Sequence, residues 1–99
     1  MSRSLVLEDF ADRVGCTFPI REEGMENFPL TLTEAKPLRA TWMAPGARPP
    51  FSLIFLGSNP FILPQRLYKF DLDGIGIVDI FLVPVGKNAK GVSYQAVFN

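Results

Sequence analysis

After Gly15 the spacing of apolar residues changes from about 3.6 to about 2, and the shorter period governs every regular segment that follows. Side chains that alternate in this way lie on opposite faces of an extended strand. The chain is therefore committed to a mainly β fold with a helix only at its start. Thr17, Pro19 and Arg21 alternate with Phe18 and Ile20 in a first strand, and Phe28, Leu30 and Leu32 alternate with Pro29, Thr31 and Thr33 in a second. The run from Phe51 to Leu56 is almost continuously apolar, as a central strand covered on both faces is. Arg66, Tyr68 and Phe70 alternate with Leu67, Lys69 and Asp71 in a fourth strand. Ile75 to Val85 forms a long fifth strand, in which Pro84 implies an edge or a bulge. Val92, Tyr94, Ala96 and Phe98 alternate with Ser93, Gln95 and Val97 in a sixth.

The connections carry turn chemistry. Glu22 to Asn27 is a polar hairpin link containing Gly24, and Asp73-Gly74 is the strongest short-range hairpin signal in the chain. Gly86 to Gly91 turns the chain back before the last strand. Pro37 to Pro50 holds no sustained period and reads as a long loop, and Gly57 to Pro64, with Asn59-Pro60, reads as a second irregular link. Before Gly15, Leu7, Phe10, Ala11 and Val14 fall at i, i+3, i+4 and i+7, one apolar stripe on a helix over residues 7–14 that Gly15 stops.

Six antiparallel strands in a meander, flat and with one short helix, could not cover both faces of the third and fifth strands. Curling into a small barrel or half-barrel, with the helix plugging one end, covers them and removes exposed edges. The 99 residues make a single domain, residues 1–99, with 47% hydrophobic residues, enough for a core.

Chemistry is scarce. The sequence has no histidine, which excludes Ser-His-Asp triads and most zinc sites. Cys16 follows the negative end of a helix, which disfavours a thiolate, and reads as a small buried apolar residue. The pairs Glu8/Asp12 and Asp71/Asp73 lie on solvated elements, so neither is set apart for acid–base work or metal binding. Asp79 reads as an exposed or half-exposed carboxylate paired with Lys69 or Arg66 on the neighbouring strand. Gly74 and Gly76 lead into a strand and lack the third glycine of a nucleotide loop. No catalytic residue, cofactor site or metal site is expected, and the chain is read as not an enzyme.

The ten basic and ten acidic residues balance to zero, which argues against a nucleic-acid partner. The longest apolar run elsewhere in the chain, Ile80 to Val85, is far short of the roughly 20 residues that span a bilayer, and the start lacks a signal-peptide stretch. With one cysteine and no disulfide possible within the chain, the expectation is a cytoplasmic protein, or one carried out within a larger assembly. Trp42 and Met43 in the first long loop, and Phe61, Ile62 and Leu63 in the second, form a candidate protein-contact set. The competing possibility is that both loops fold these side chains back to seal the barrel.

The start Leu7-Glu8-Asp9-Phe10, the block Phe28 to Ala35, and the endings Ile80 to Gly86 and Tyr94 to Asn99 resemble a small bacterial family of uncharacterised domains of about this length. The likeness runs from Leu7 to Asn99. It implies context rather than chemistry: members resemble free-standing proteins encoded near tail-collar-type proteins like those of phage tail fibres. Members tend to carry a charged residue where Ile77 stands. The greasier face of Ile77 and Phe81 here joins the candidate contact set. The expected function is a non-catalytic protein–protein interaction or structural accessory module of a tail-like or surface-fibre assembly, with a protein partner and an open route to homo-oligomers, the open edge lying near Pro84 or the last strand. The alternative is a barrel binding a small apolar ligand between Tyr68, Phe55 and Trp42, which needs a cavity of at least about 300 Å³.

Overall fold

The computed structural model describes residues 5–39, 46 and 48–99. In chain order the elements are α1 (Glu8–Ala11), β1 (Thr17–Phe18), β2 (Leu30–Pro37), β3 (Phe51–Gly57), β4 (Arg66–Leu72), β5 (Gly76–Asn88) and β6 (Gly91–Phe98). The strands pair antiparallel in one sheet of order β1-β2-β3-β6-β5-β4. The order is not that of one continuous meander, because β3 neighbours β6 and not β4: two three-stranded meanders, β1–β3 and β4–β6, join where β3 lies against β6. The apolar run of β3 explains the join: it pairs along its whole length with β2 on one side and with β6 on the other.

The two outer strands curl toward each other. Ile20, just beyond β1, bridges to Phe70 of β4, and the Arg21 N–H donates to the Lys69 carbonyl at 2.8 Å. This seam turns the sheet into a nearly closed barrel, which satisfies edge groups that a flat sheet would leave open. Inward-facing side chains fill it, as a barrel of few strands requires. Phe18, Phe55 and Phe70 pack through the middle, with ring centroids 6.5 and 5.3 Å apart in sequence. At one end Phe51 and Phe98 stack at 4.6 Å, and Phe10 of α1 lies 5.9 Å from each. The helix therefore plugs that end with a single buried aromatic ring.

The helix is shorter than its apolar stripe. The Arg13 N–H bonds to the Phe10 carbonyl three residues back, tightening the chain out of the helix. Gly15, at φ 95°, then directs its N–H to the Leu32 carbonyl, and Cys16 accepts the Leu32 N–H. Pairing with β2 thus takes over before Val14 can turn inward, and Val14 is exposed. The first strand is likewise cut to two residues, because Pro19 has no N–H to donate.

β2 begins at Leu30 and continues through Pro37 into what reads in the sequence as loop, paired there with β3. Asp73 and Gly74 make the expected hairpin, but with Ile75 inside the turn. The Ile75 N–H returns to the Leu72 carbonyl at 2.9 Å, and Gly74, at φ 84°, supplies the left-handed residue. The bulge expected at Pro84 lies between Pro84 and Gly86. It marks where β5 changes partner, since residues up to Leu82 pair with β4 and those from Val83 onward with β6. No helix among the described residues is long and apolar enough to cross a membrane.

Candidate functional site

The polar groups of the barrel are mostly engaged with one another. Glu22, at the seam, accepts from Arg66 at 3.0 Å and from the Lys69 backbone N–H at 2.9 Å, and both hold its carboxyl below the usual 4.5. The Arg66 guanidinium also lies 4.0 Å over the ring of Tyr68. Burial pushes the Tyr68 hydroxyl above its ordinary 10.0, and that hydroxyl donates to the Pro64 carbonyl. Asp79 pairs with Lys69 at 2.9 Å, the first of the two partners expected for it, while Arg66 turns instead to Glu22. Asp71 pairs with Arg21 at 3.7 Å, and the Asp73 carbonyl accepts from Arg13 at 2.6 Å.

No group of three or more metal-ligating side chains occurs among the described residues. Cys16 is exposed, contrary to the expectation that it would be buried. Cys16 shares its parity with the buried Phe18 and Ile20, but it precedes β1, where the bonds of Gly15 and Cys16 both fall on Leu32 and this two-against-one pairing breaks the alternation. A shallow cleft of about 390 Å³ lies outside the barrel at the seam, lined by Pro19, Ile20, Arg21, Glu22, Glu23 and Glu26. A smaller one of about 200 Å³ lies beside the helix, between Val6, Leu7, Glu8, Pro37, Pro49 and Pro50.

The candidate contact residues separate into distinct places. Trp42 and Met43 lie outside the described residues. Phe61 and Ile62 are exposed, Phe61 at 62%, whereas Leu63 is buried at 1%. Leu63 thus leaves the contact set for the core: its N–H donates to the Tyr94 hydroxyl at 2.9 Å, which draws the side chain inward. The same loop is pinned at its other end. The Asn59 side chain donates to the Asn27 carbonyl at 3.0 Å and accepts the Phe61 N–H at 2.9 Å. Phe28 meets the Phe61 ring edge-on at 5.9 Å. Phe61 is therefore held outward by a fixed loop, with only one side of its ring covered.

Ile77 and Phe81 are exposed on the outer face of β5, as strand parity anticipates. Leu67 of β4 stands directly opposite Phe81 and is also exposed. Leu67, Val85 and Val97 all fall outside the set drawn from sequence. Parity with the buried Tyr68 and Phe70 would have found Leu67, and parity with Ala96 would have found Val97. Val85 stands at the bulge, where parity is lost.

Fold and surface together define a small antiparallel β-barrel domain that presents apolar side chains on its outer wall and on one fixed loop. The chain belongs to the domain of unknown function family DUF6916, which it matches over residues 5–98. No curated protein and no solved structure matches it.

Proposed function

We propose that this domain is a non-catalytic protein–protein interaction module, an accessory of a tail-like or surface-fibre assembly, that docks through Phe61 and Ile62. The observation that carries the reading is the exposure of Phe61 on a loop tied down at both ends. A large ring left in water costs roughly 2 kcal/mol relative to a buried one. A loop free to move would recover that by folding the ring onto the barrel; here the Asn59 and Leu63 hydrogen bonds hold it out. Aromatic side chains pre-organised in this way make strong interface anchors. The resemblance to domains encoded near tail-collar-type proteins supplies the class of partner. An exposed Cys16 thiol suits the reducing cytoplasm, where such assemblies are put together.

A small apolar ligand held inside the barrel draws less support. Phe55 and Tyr68, which would line its cavity, are at 1% exposure or less and packed among other core side chains. The two clefts described above lie outside the barrel. The test is co-elution with a tail-collar-type fibre protein. The intact domain should co-elute, and the double variant Phe61→Ser, Ile62→Ser should not. Equal co-elution of both, or of neither, contradicts the proposal.

A further inference from the structure

We propose that the outer face of the β4–β5 hairpin is a homodimer interface, on which two copies meet about a two-fold axis running along the strands between β4 and β5. This surface is separate from the Phe61 loop, so the inference stands independently of the docking proposed above. Three cross-strand pairs make up the face: Leu67 opposite Phe81, Lys69 opposite Asp79, and Asp71 opposite Ile77. Their neighbours Tyr68, Phe70, Ile80 and Leu82 are buried, so parity turns all six outward. Leu67 and Ile77 are each 54% exposed and Phe81 44%, a larger apolar content than a solvated hairpin needs.

The register makes this face complementary to itself. A two-fold axis along the strands keeps each row in place and exchanges the strands. Leu67 then meets Phe81 of the second copy, and Lys69 meets Asp79 of the second copy, twice over. The Lys69–Asp79 pair, 2.9 Å apart and half-exposed within one chain, becomes part of a four-charge cluster between the apolar Leu67/Phe81 row and the Asp71/Ile77 row, where Asp71 stays paired with Arg21 at the margin. An axis across the strands would instead set Lys69 on Lys69 and Asp79 on Asp79, which repel. Charge therefore selects one of the two face-to-face arrangements, and a zero net charge offers no general repulsion against it.

The outer edges of β2 and β4 are blunted against pairing with another chain. Beyond β1 the free edge of β2 carries a register shift between Leu32 and Glu34, the Lys36–Glu34 ion pair at 3.3 Å, and Pro37, which has no N–H. On β4, Arg21 and Glu22 occupy the carbonyl and N–H of Lys69, and Arg66 covers the Leu67 carbonyl at 2.6 Å. The last strand, β6, pairs with β3 from Val92 to Phe98 but with β5 only from Gly91 to Gln95, so the open edge expected beside it is confined to residues 96–98.

The test is sedimentation of the full chain from micromolar to millimolar concentration, with Lys69→Glu and Asp79→Lys made separately. The unaltered protein should reach twice its 11.0 kDa mass. Each single reversal should weaken the dimer by about tenfold or more, because it sets like charges against each other twice. An equimolar mixture of the two variants should form a heterodimer, since both cross-contacts are then attractive. Phe81→Ser should also be monomeric with an unchanged melting temperature, which separates interface loss from misfolding. An unaltered protein that stays monomeric, reversals that leave a dimer intact, or a mixture that does not associate would each overturn the proposal.

Discussion

Across the barrel seam the carboxylate of Glu22 grips Arg66, 44 residues further along the chain, with one oxygen 3.0 Å from the guanidinium and the other taking the Lys69 backbone N–H. A single side chain thus does what a third hydrogen-bonded row would do in a fully closed sheet. It also leaves closure sensitive to acid.

Both partners favour the ionised carboxylate, so the folded Glu22 titrates below its ordinary 4.5. A group whose folded value is depressed contributes its stability above the unfolded value and loses it as pH falls through the folded one. Melting temperature should therefore be flat near neutrality and drop below about pH 4.5. Glu22→Gln should lower stability at pH 7 by about 1 kcal/mol, the low end for a charge-assisted bond because the site is partly wet. For a chain of this size that is a shift of roughly 4–8 °C. The two proteins should converge in acid, and thermal denaturation across pH reads this directly.

Gly91 and Gly57 meet where β3 lies against β6, and the two differ in what a methyl group would strike. A Cβ on Gly91 would stand 2.1 Å from the Gly57 carbonyl oxygen, and its φ of 138° strains any other residue. Gly91→Ala should cost about 3 kcal/mol or more, because backbone must move. Gly57→Ala, by contrast, would first meet the end of the Leu30 side chain at 2.9 Å, which can turn aside. Its cost should be about 1–2 kcal/mol, and denaturant unfolding of the pair measures the difference.

Tyr94 ties the loop of Phe61 to the core. Tyr94→Phe removes the hydroxyl that accepts the Leu63 N–H and leaves a buried donor without a partner. Stability should fall by about 1–3 kcal/mol. Hydrogen exchange at the Leu63 amide should accelerate by more than this global change alone requires.

Burial raises the Tyr68 hydroxyl above 10.0, so its contribution is present below that pH and is lost as pH rises through the higher folded value. Alkaline titration of tyrosinate absorbance should show Tyr68 ionising late. Its ionisation should coincide with unfolding, since the neutral hydroxyl is the donor to Pro64. Tyr68→Phe should remove the late step.

Strand parity made the barrel wall legible. Tyr68, Phe70, Tyr94 and Ala96 point inward where their alternation places them, and Pro84 stands at a bulge because it has no N–H to give. The Lys69–Asp79 pair was readable because it joins neighbouring strands across one tight turn. Glu22 and Arg66 were not, since nothing local links a hairpin carboxylate to a strand 44 residues away. The β3–β6 pairing was hidden for the same reason. Leu63 and Phe61 differ in burial although both are apolar loop residues two positions apart. The Tyr94 hydroxyl, distant in sequence, decides between them. Cys16 is exposed because Gly15 and Cys16 both pair with Leu32, a break in alternation that its spacing from Phe18 does not reveal.

The account turns on whether Phe61 works outward or inward, and Phe61→Ser measures both at once. Its unfolding free energy should stay within about 0.5 kcal/mol of the unaltered protein, as for an exposed side chain, while binding to a tail-collar-type partner weakens by tenfold or more. A loss of several kcal/mol of stability with binding unchanged would make Phe61 a seal of the barrel end and contradict the account.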